Sequence, residues 1–215
     1  QPGYIYAGVY GIGVVRTNDG GSTWQEFNTG LSNCLVTWLT AANNKLYALT
    51  PSAVYVSSGE SWSTLILPQS MGYDPAWYIE TVLAGISQPE EYAVKEILAQ
   101  LENQTESGLN STPLISLTAI GSTLYGGSAG AGLWKYSSGS WTQVGLNGYT
   151  IPSLSTDAVL NRVLMSACDS SGSCAVRYLK DGSFTTINQG LEGIYTNQIL
   201  VVGEDYYAAT SNGIY

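Results

Sequence analysis

Hydrophobic and polar positions in this chain alternate in short runs, and the runs recur. A large apolar or aromatic residue followed by small ones marks five segments: Tyr6-Ala7-Gly8, Tyr47-Ala48-Leu49, Tyr125-Gly126-Gly127, Met165-Ser166-Ala167 and Tyr207-Ala208-Ala209. They lie 41, 78, 40 and 42 residues apart. A second strand-like run follows each: Gly13–Arg16, Ala53–Val56, Gly132–Lys135, Ala175–Tyr178 and Gly213–Tyr215. In the first four units a polar turn then leads to a third run that reads aromatic, polar, polar, apolar: Trp24–Phe27, Trp62–Leu65, Trp141–Val144 and Phe184–Ile187. Apolar runs Leu35–Ala41, Leu114–Ile120, Ile151–Leu160 and Gln198–Val202 precede the last four units and predict one further strand each. The repeating unit is thus a four-stranded antiparallel meander of about 40 residues, the size of one propeller blade.

Between Leu67 and Pro113 the period-two pattern stops and a helical one begins. Asp74-Pro75 offers a cap and first-turn pair, and Tyr78, Ile79, Val82, Leu83 and Ile86 share one face. Ser87-Gln88-Pro89-Glu90 fits a capping box, with Val94, Ile97, Leu98 and Leu101 continuing at helical spacing. The spacing predicts two amphipathic helices, 75–85 and 89–103, and makes the long interval one period plus an insertion over 68–112 between the second and third blades. Such a pair either covers blade surface or shapes a binding face; Tyr73, Trp77 and Tyr78 are the candidate contact aromatics.

The expected fold is all-β: a single domain over 1–215, a propeller of about five four-stranded antiparallel blades with incomplete terminal blades and an inserted helix pair. Counted from the inside outward, the first unit lacks its innermost strand and the fifth its outermost. The two ends duplicate instead of complementing each other, so the ring is expected not to close neatly by itself. Either further chain completes it, or unpaired edges take a strand from another molecule, which would suit a filament or surface assembly.

Composition narrows the chemistry. The chain has no histidine, 16 acidic against 7 basic residues, and a net charge of −9. Without histidine there is no Ser-His-Asp or Cys-His centre, and three cysteines alone do not make a tetrahedral zinc site. Scattered cations on an acidic chain argue against nucleic acid as a partner. No stretch of about 18 apolar residues predicts a membrane span, and no cofactor is implied. Cys168 and Cys174 flank a polar turn and predict a hairpin disulfide, leaving Cys34 as a buried thiol; three reduced thiols remain the alternative. Asn103-Gln104-Thr105 and Asn110-Ser111-Thr112 are N-glycosylation sequons, with Asn103 and Asn110 as acceptors. Together these features point to an extracellular or cell-surface location.

The turn Thr17-Asn18-Asp19-Gly20-Gly21-Ser22-Thr23-Trp24 resembles the Asp-box, or BNR repeat, of pattern Ser/Thr-x-Asp-x-Gly-x-x-Trp. Later turns match it only partly: Ser57–Trp62 and Ser137–Trp141 lack the aspartate, and Lys180–Phe184 is shortened. Such boxes recur in sialidase-type and sortilin-like propellers, and the resemblance implies a propeller with the box on its outer rim. Thr17, Asp19, Gly21 and Trp24 then have structural roles, with the carboxylate accepting backbone N–H groups across the turn and Trp24 packed under the hairpin. Sialidase chemistry would need three converging arginines. The chain has only Arg16, Arg162 and Arg177, with Arg16 and Arg177 at equivalent places in their units, and the family's Arg-Ile-Pro signature is absent. Asp157, Glu192 and Glu204 near inner-strand ends are the candidate acids for the alternative, a glycosidase using paired carboxylates. The favoured expectation is a non-catalytic member: a structural or assembly subunit, or a module that binds proteins or glycans, with other protein subunits, including copies of itself, as partners.

Overall fold

The computed structural model describes residues 3–32, 34–50, 53–65, 114–191 and 194–215. They form five antiparallel sheets, one per repeat unit. The first blade contains β1 (Ile5–Val9), β2 (Gly13–Thr17) and β3 (Gln25–Glu26). The second runs from β4 (Trp38–Ala42) through β5 (Lys45–Leu49) and β6 (Val54–Ser58) to β7 (Ser61–Leu65). The third comprises β8 (Leu114–Ile120), β9 (Thr123–Ser128), β10 (Leu133–Ser137) and β11 (Ser140–Gly145). The fourth comprises β12 (Thr150–Asp157), β13 (Arg162–Cys168), β14 (Cys174–Lys180) and β15 (Ser183–Thr186). The fifth holds β16 (Thr196–Val202), β17 (Asp205–Thr210) and β18 (Gly213–Ile214). The chain is therefore a five-bladed antiparallel β-propeller, and its first and fifth blades have three strands each among the described residues.

Each blade is a meander because tight turns separate its strands. Asn43 and Asn44 join β4 to β5 with φ of 51° and 57°, the left-handed pair a two-residue hairpin needs and that asparagine tolerates.

Among the described residues the core lies between blades, as four seams. Val14, Phe27, Leu31, Val36, Ala48, Tyr55 and Trp62 pack the first blade on the second. Leu49, Val54, Leu117 and Trp141 join the second to the third. Leu133, Ile151, Leu154 and Met165, with Phe184 alongside, join the third to the fourth. Leu164, Val176 and Ile199 join the fourth to the fifth. In the first three seams the aromatic residue opening the outermost strand of one blade packs back onto the preceding blade. Packing runs from β1 to β4, β4 to β8, β8 to β12 and β12 to β16. Among the described residues no strand of the fifth blade packs comparably on the first.

Two strand boundaries differ from expectation. β4 begins at Trp38, and Leu35 and Val36 are buried ahead of it in irregular backbone. Apolar character marks burial there, not ladder pairing. β3 stops at Glu26 because Phe27 turns into the first seam, where its ring lies 5.5 Å from that of Trp62. The helices at 75–85 and 89–103, the remainder of the 68–112 insertion, both sequons and Tyr73, Trp77 and Tyr78 lie outside the described residues.

Candidate functional site: the open side of the fifth blade

The fifth blade presents one uncovered sheet face. Leu200 of β16 stands directly across from Tyr207 of β17, and Ala209, on the same face, pairs with Ile214 of β18. Their alternation places Val202 on that face too. Leu200, Val202, Tyr207 and Ile214 are 52%, 53%, 43% and 78% exposed. Ile199, on the opposite face of the same strand, is 4% exposed and packs on the fourth blade.

Beside this face, between the fourth and fifth blades, opens an apolar groove of about 320 Å³. Val176, Ile187 and Leu191 line its fourth-blade wall, and Ile199, Ala208 and Tyr215 its fifth-blade wall. One end is closed by a polar bracket. Asp157, at the end of β12, is only 2% exposed. Its Oδ1 accepts from the Leu160 N–H at 2.9 Å, and its Oδ2 from Arg162 Nε at 3.0 Å. The Tyr206 hydroxyl donates to Oδ2 and accepts from Arg162 Nη2. The Arg162 guanidinium is stacked between Tyr178 and Tyr206, 4.8 and 5.0 Å from their ring centres. Hydrogen bonds from Tyr206 above all, then from Leu160 and Arg162, hold the Asp157 carboxyl below its ordinary range. The bracket ties the fourth blade to the fifth, and its carboxylate is occupied by three donors. Sequence reading singled out Asp157 and Arg162 but not Tyr206, which pairs with them from 44 or more residues away.

A second cavity, about 550 Å³, lies between the first two blades and is lined by Tyr4, Tyr6, Phe27, Asn43, Asn44 and Lys45. Near its aromatic wall, Arg16 pairs with Glu60 at 2.7 Å and lies 4.9 Å from the Tyr4 ring centre and 4.8 Å from that of Phe27.

The arginines do not converge. Arg16 pairs across the ladder with Tyr6, and Val14 with Gly8; in the fourth blade Val176 pairs with Ser166, and Arg177 with Met165. Matching Val14 to Val176 puts Arg16 at the place of Tyr178, so Arg16 and Arg177 are one residue out of register and face opposite ways. Arg177 lies 4.8 Å from the ring centre of Tyr149. Of the candidate acids, Glu204 is exposed in the β16–β17 turn, and Glu192 lies outside the described residues.

The Thr17–Trp24 turn closes through its own side chains. Asp19 Oδ1 accepts from the Thr23 N–H at 3.0 Å and from the Thr17 hydroxyl at 2.7 Å, and Oδ2 from the Thr23 hydroxyl at 2.6 Å. The Gly21 N–H donates to Thr17 Oγ1 at 3.1 Å. These bonds, first from Thr17, hold the Asp19 carboxyl far below its usual range. Trp24 is 46% exposed, although its indole lies near Gly21. It is less covered than a residue packed under the hairpin would be.

Cys168 and Cys174 form the expected disulfide. Asp169 Oδ1 shapes its turn, accepting from Ser171 N–H, Ser171 hydroxyl and Ser173 N–H at 2.9, 2.6 and 3.0 Å. Cys34 is half-buried, outside the disulfide. Among the described residues no helix is long and apolar enough to cross a membrane.

Comparisons with known proteins add the fold. No family model matches the chain, and no curated protein matches it. The extracellular domain of the one-component system BT4673 from B. thetaiotaomicron superposes with a TM-score of 0.62 at 16% identity, over 100% of this chain and 26% of its own. YCF48 bound to D1 peptide superposes with a TM-score of 0.60 at 13% identity, over 100% of this chain and 59% of its own. The computationally designed Ika8 protein gives a TM-score of 0.54 at 11% identity, covering 100% of this chain and 55% of that one. The chain thus spans between a quarter and three fifths of these neighbours' lengths. At such identities the likeness is one of propeller fold.

Proposed function

We propose that this is an extracellular, non-enzymatic β-propeller that acts as a binding or assembly module, with protein segments as its principal partners. The carrying observation is the uncovered face of the fifth blade, where Leu200, Val202, Tyr207 and Ile214 form one apolar surface. Contiguous exposed apolar surfaces of this kind mark protein contact. Support for the location comes from the Cys168–Cys174 disulfide and from the extracellular origin of the BT4673 neighbour. Support for a protein partner comes from the YCF48 neighbour, which is seen with a peptide. The Asp-box reading of Thr17, Asp19, Gly21 and Trp24 as a turn-forming unit belongs to the same proposal, as does its assignment to non-catalytic relatives of the sialidase-type propellers. Copies of the chain can meet through the same face, since Ile5 on the first blade is also 55% exposed, and glycans are secondary ligands for its aromatic surface.

The test uses immobilised protein on peptide, protein and glycan arrays, with sedimentation analysis of the free chain. Retention of protein ligands, or self-association, that is lost on Leu200→Asp or Val202→Asp supports the reading. Turnover of a glycoside that disappears on a single Asp or Glu substitution overturns it.

A further inference from the structure

Among the described residues, four hairpins join an innermost strand to the second strand of its blade, and one of them is built differently. Asn43-Asn44 joins β4 to β5, Gly121-Ser122 joins β8 to β9, and Gly203-Glu204 joins β16 to β17, each a two-residue polar turn. Between Asp157 of β12 and Arg162 of β13 the loop is Ala158-Val159-Leu160-Asn161, two residues longer and aliphatic at its centre. Val159 is 77% exposed and Leu160 45%. Valine and leucine are among the residue types most often buried, so an adjacent pair held in water at a loop tip is the informative exception. The hairpin has the third blade on one side and the fifth on the other. Its exposure therefore follows from the length and sequence of its own loop.

The tip is exposed, but its base is fixed. The buried Asp157 carboxylate accepts from the Leu160 N–H on one oxygen and from Arg162 Nε on the other, at 2.9 and 3.0 Å, so it spans the loop from tip to far strand. Asn161 takes a φ of 51°, the left-handed conformation that asparagine tolerates, and turns the chain into β13. The Tyr206 hydroxyl bonds both Asp157 and Arg162 from the fifth blade and ties the hairpin to its neighbour. A loop held this way has little freedom left to lose when it binds. The charge around it is one-sided. Strand order places the β14–β15 turn and the β16–β17 turn at the same end of the propeller as the tip. Asp181, Glu204 and Asp205 are exposed there, with Lys180 as the cation among them.

We infer that the β12–β13 hairpin is a preformed docking finger for a cationic amphipathic polypeptide segment, which lays an aliphatic stripe over Val159 and Leu160 and sets Lys or Arg side chains against Glu204, Asp205 and Asp181. Charge and area select this occupant. A second copy carries the same net charge of −9, and two side chains at a convex tip fall far short of the roughly 800 Å² per partner that a stable interface between folded proteins buries. An anionic membrane surface is repelled by the same carboxylates that attract a cationic segment. For such a segment the carboxylates steer the encounter and fix the register, while the aliphatic tip supplies the burial. The finger is a second contact surface. It lies at one end of the propeller and on different residues from the Leu200, Val202, Tyr207 and Ile214 face, so it goes beyond the reading given above.

The experiment uses the 215-residue chain and a fluorescein-labelled helical peptide made only of leucine and lysine, with the leucines along one face, read by fluorescence anisotropy at physiological salt. Saturable binding is expected, and a companion peptide with serine for every leucine should bind more weakly by about tenfold or more. Val159→Asn combined with Leu160→Asn should weaken binding of the leucine peptide by about tenfold or more, whereas Val159→Ile with Leu160→Met should leave it unchanged. Glu204→Gln with Asp205→Asn should weaken it and flatten its salt dependence. All four positions are exposed, and thermal melts check that each variant is folded. Absence of saturation at millimolar peptide, or equal binding by the asparagine variant, overturns the inference. Flotation with phosphatidylcholine or phosphatidylserine vesicles that depends on Val159 and Leu160 while the peptide fails to bind would make lipid the occupant. Dimerisation in sedimentation that the asparagine variant abolishes would make it a second copy; either result overturns the inference. Peptide binding that depends on Val159 and Leu160 stands even if Leu200→Asp leaves array partners untouched, and loss of array partners on Leu200→Asp does not rescue a finger that fails.

Discussion

Gly30→Ala and Gly190→Ala form a matched pair that reads the filling of the two seams through stability alone. Both glycines sit at left-handed φ, 84° and 81°, so the conformational cost of a Cβ is shared and amounts to about 1–2 kcal/mol. At Gly30 the new methyl would also meet the Trp62 carbonyl oxygen at 2.4 Å and its C and N at 3.3 Å. These are backbone atoms, so the second-blade strand must shift. Overpacking of this kind adds about 1–3 kcal/mol, bounded by the roughly 3–5 kcal/mol of removing the tryptophan outright. Gly30→Ala should therefore cost about 2–5 kcal/mol and Gly190→Ala about 1–2 kcal/mol. Equilibrium urea denaturation, with midpoints compared at equal slope, measures both. Equal losses, or a larger loss at Gly190, would refute the claim that the fourth seam has room where the first has none.

Other expectations follow from the same geometry. Trp62→Ala should lower stability by about 3–5 kcal/mol, whereas Trp24→Ala, at the same place in the first blade but 46% exposed, should change stability by about 0.5 kcal/mol or less; thermal melts of the two variants separate these outcomes. Asp19, Asp157 and Asp169 all have carboxyls held below their ordinary values. A depressed folded-state pKa stabilises above the unfolded value, near 4, and that stability is lost as pH falls through the folded-state values. Denaturation midpoints should thus decline below about pH 4, and Asp157→Asn should remove part of the decline; an unchanged acid profile in that variant counts against the bracket. Reduction of the Cys168–Cys174 bond, which spans a sequence separation of 6, should cost about 2 kcal/mol or less, since short loops gain little from closure. A melt with and without reductant measures it.

The repeat was legible because each blade restates one local pattern: period-two strands, polar turns and an aromatic residue opening the outer strand. The strand sets and the Cys168–Cys174 pairing depend on residues near one another in sequence. Boundaries drifted where burial and pairing part company, as at Leu35 and Val36, which are apolar for a seam and not for a ladder.

The candidate site was less legible. Asp157 and Arg162 stood out by residue type, but what they do depends on Tyr206, delivered by a different blade. Arg16 and Arg177 fall in equivalent strands of their blades, but a one-residue difference in register sends them to opposite faces. Local sequence determined that this chain makes blades, how many it begins, and which residue of each outer strand is the plug. Only the tertiary structure decided which seams are plugged, because a plug and its socket belong to successive blades. Whether Trp62 finds Phe27 and Leu31, or Ile187 and Leu191 remain open, is settled by packing between sheets and not by the alternation within any one of them.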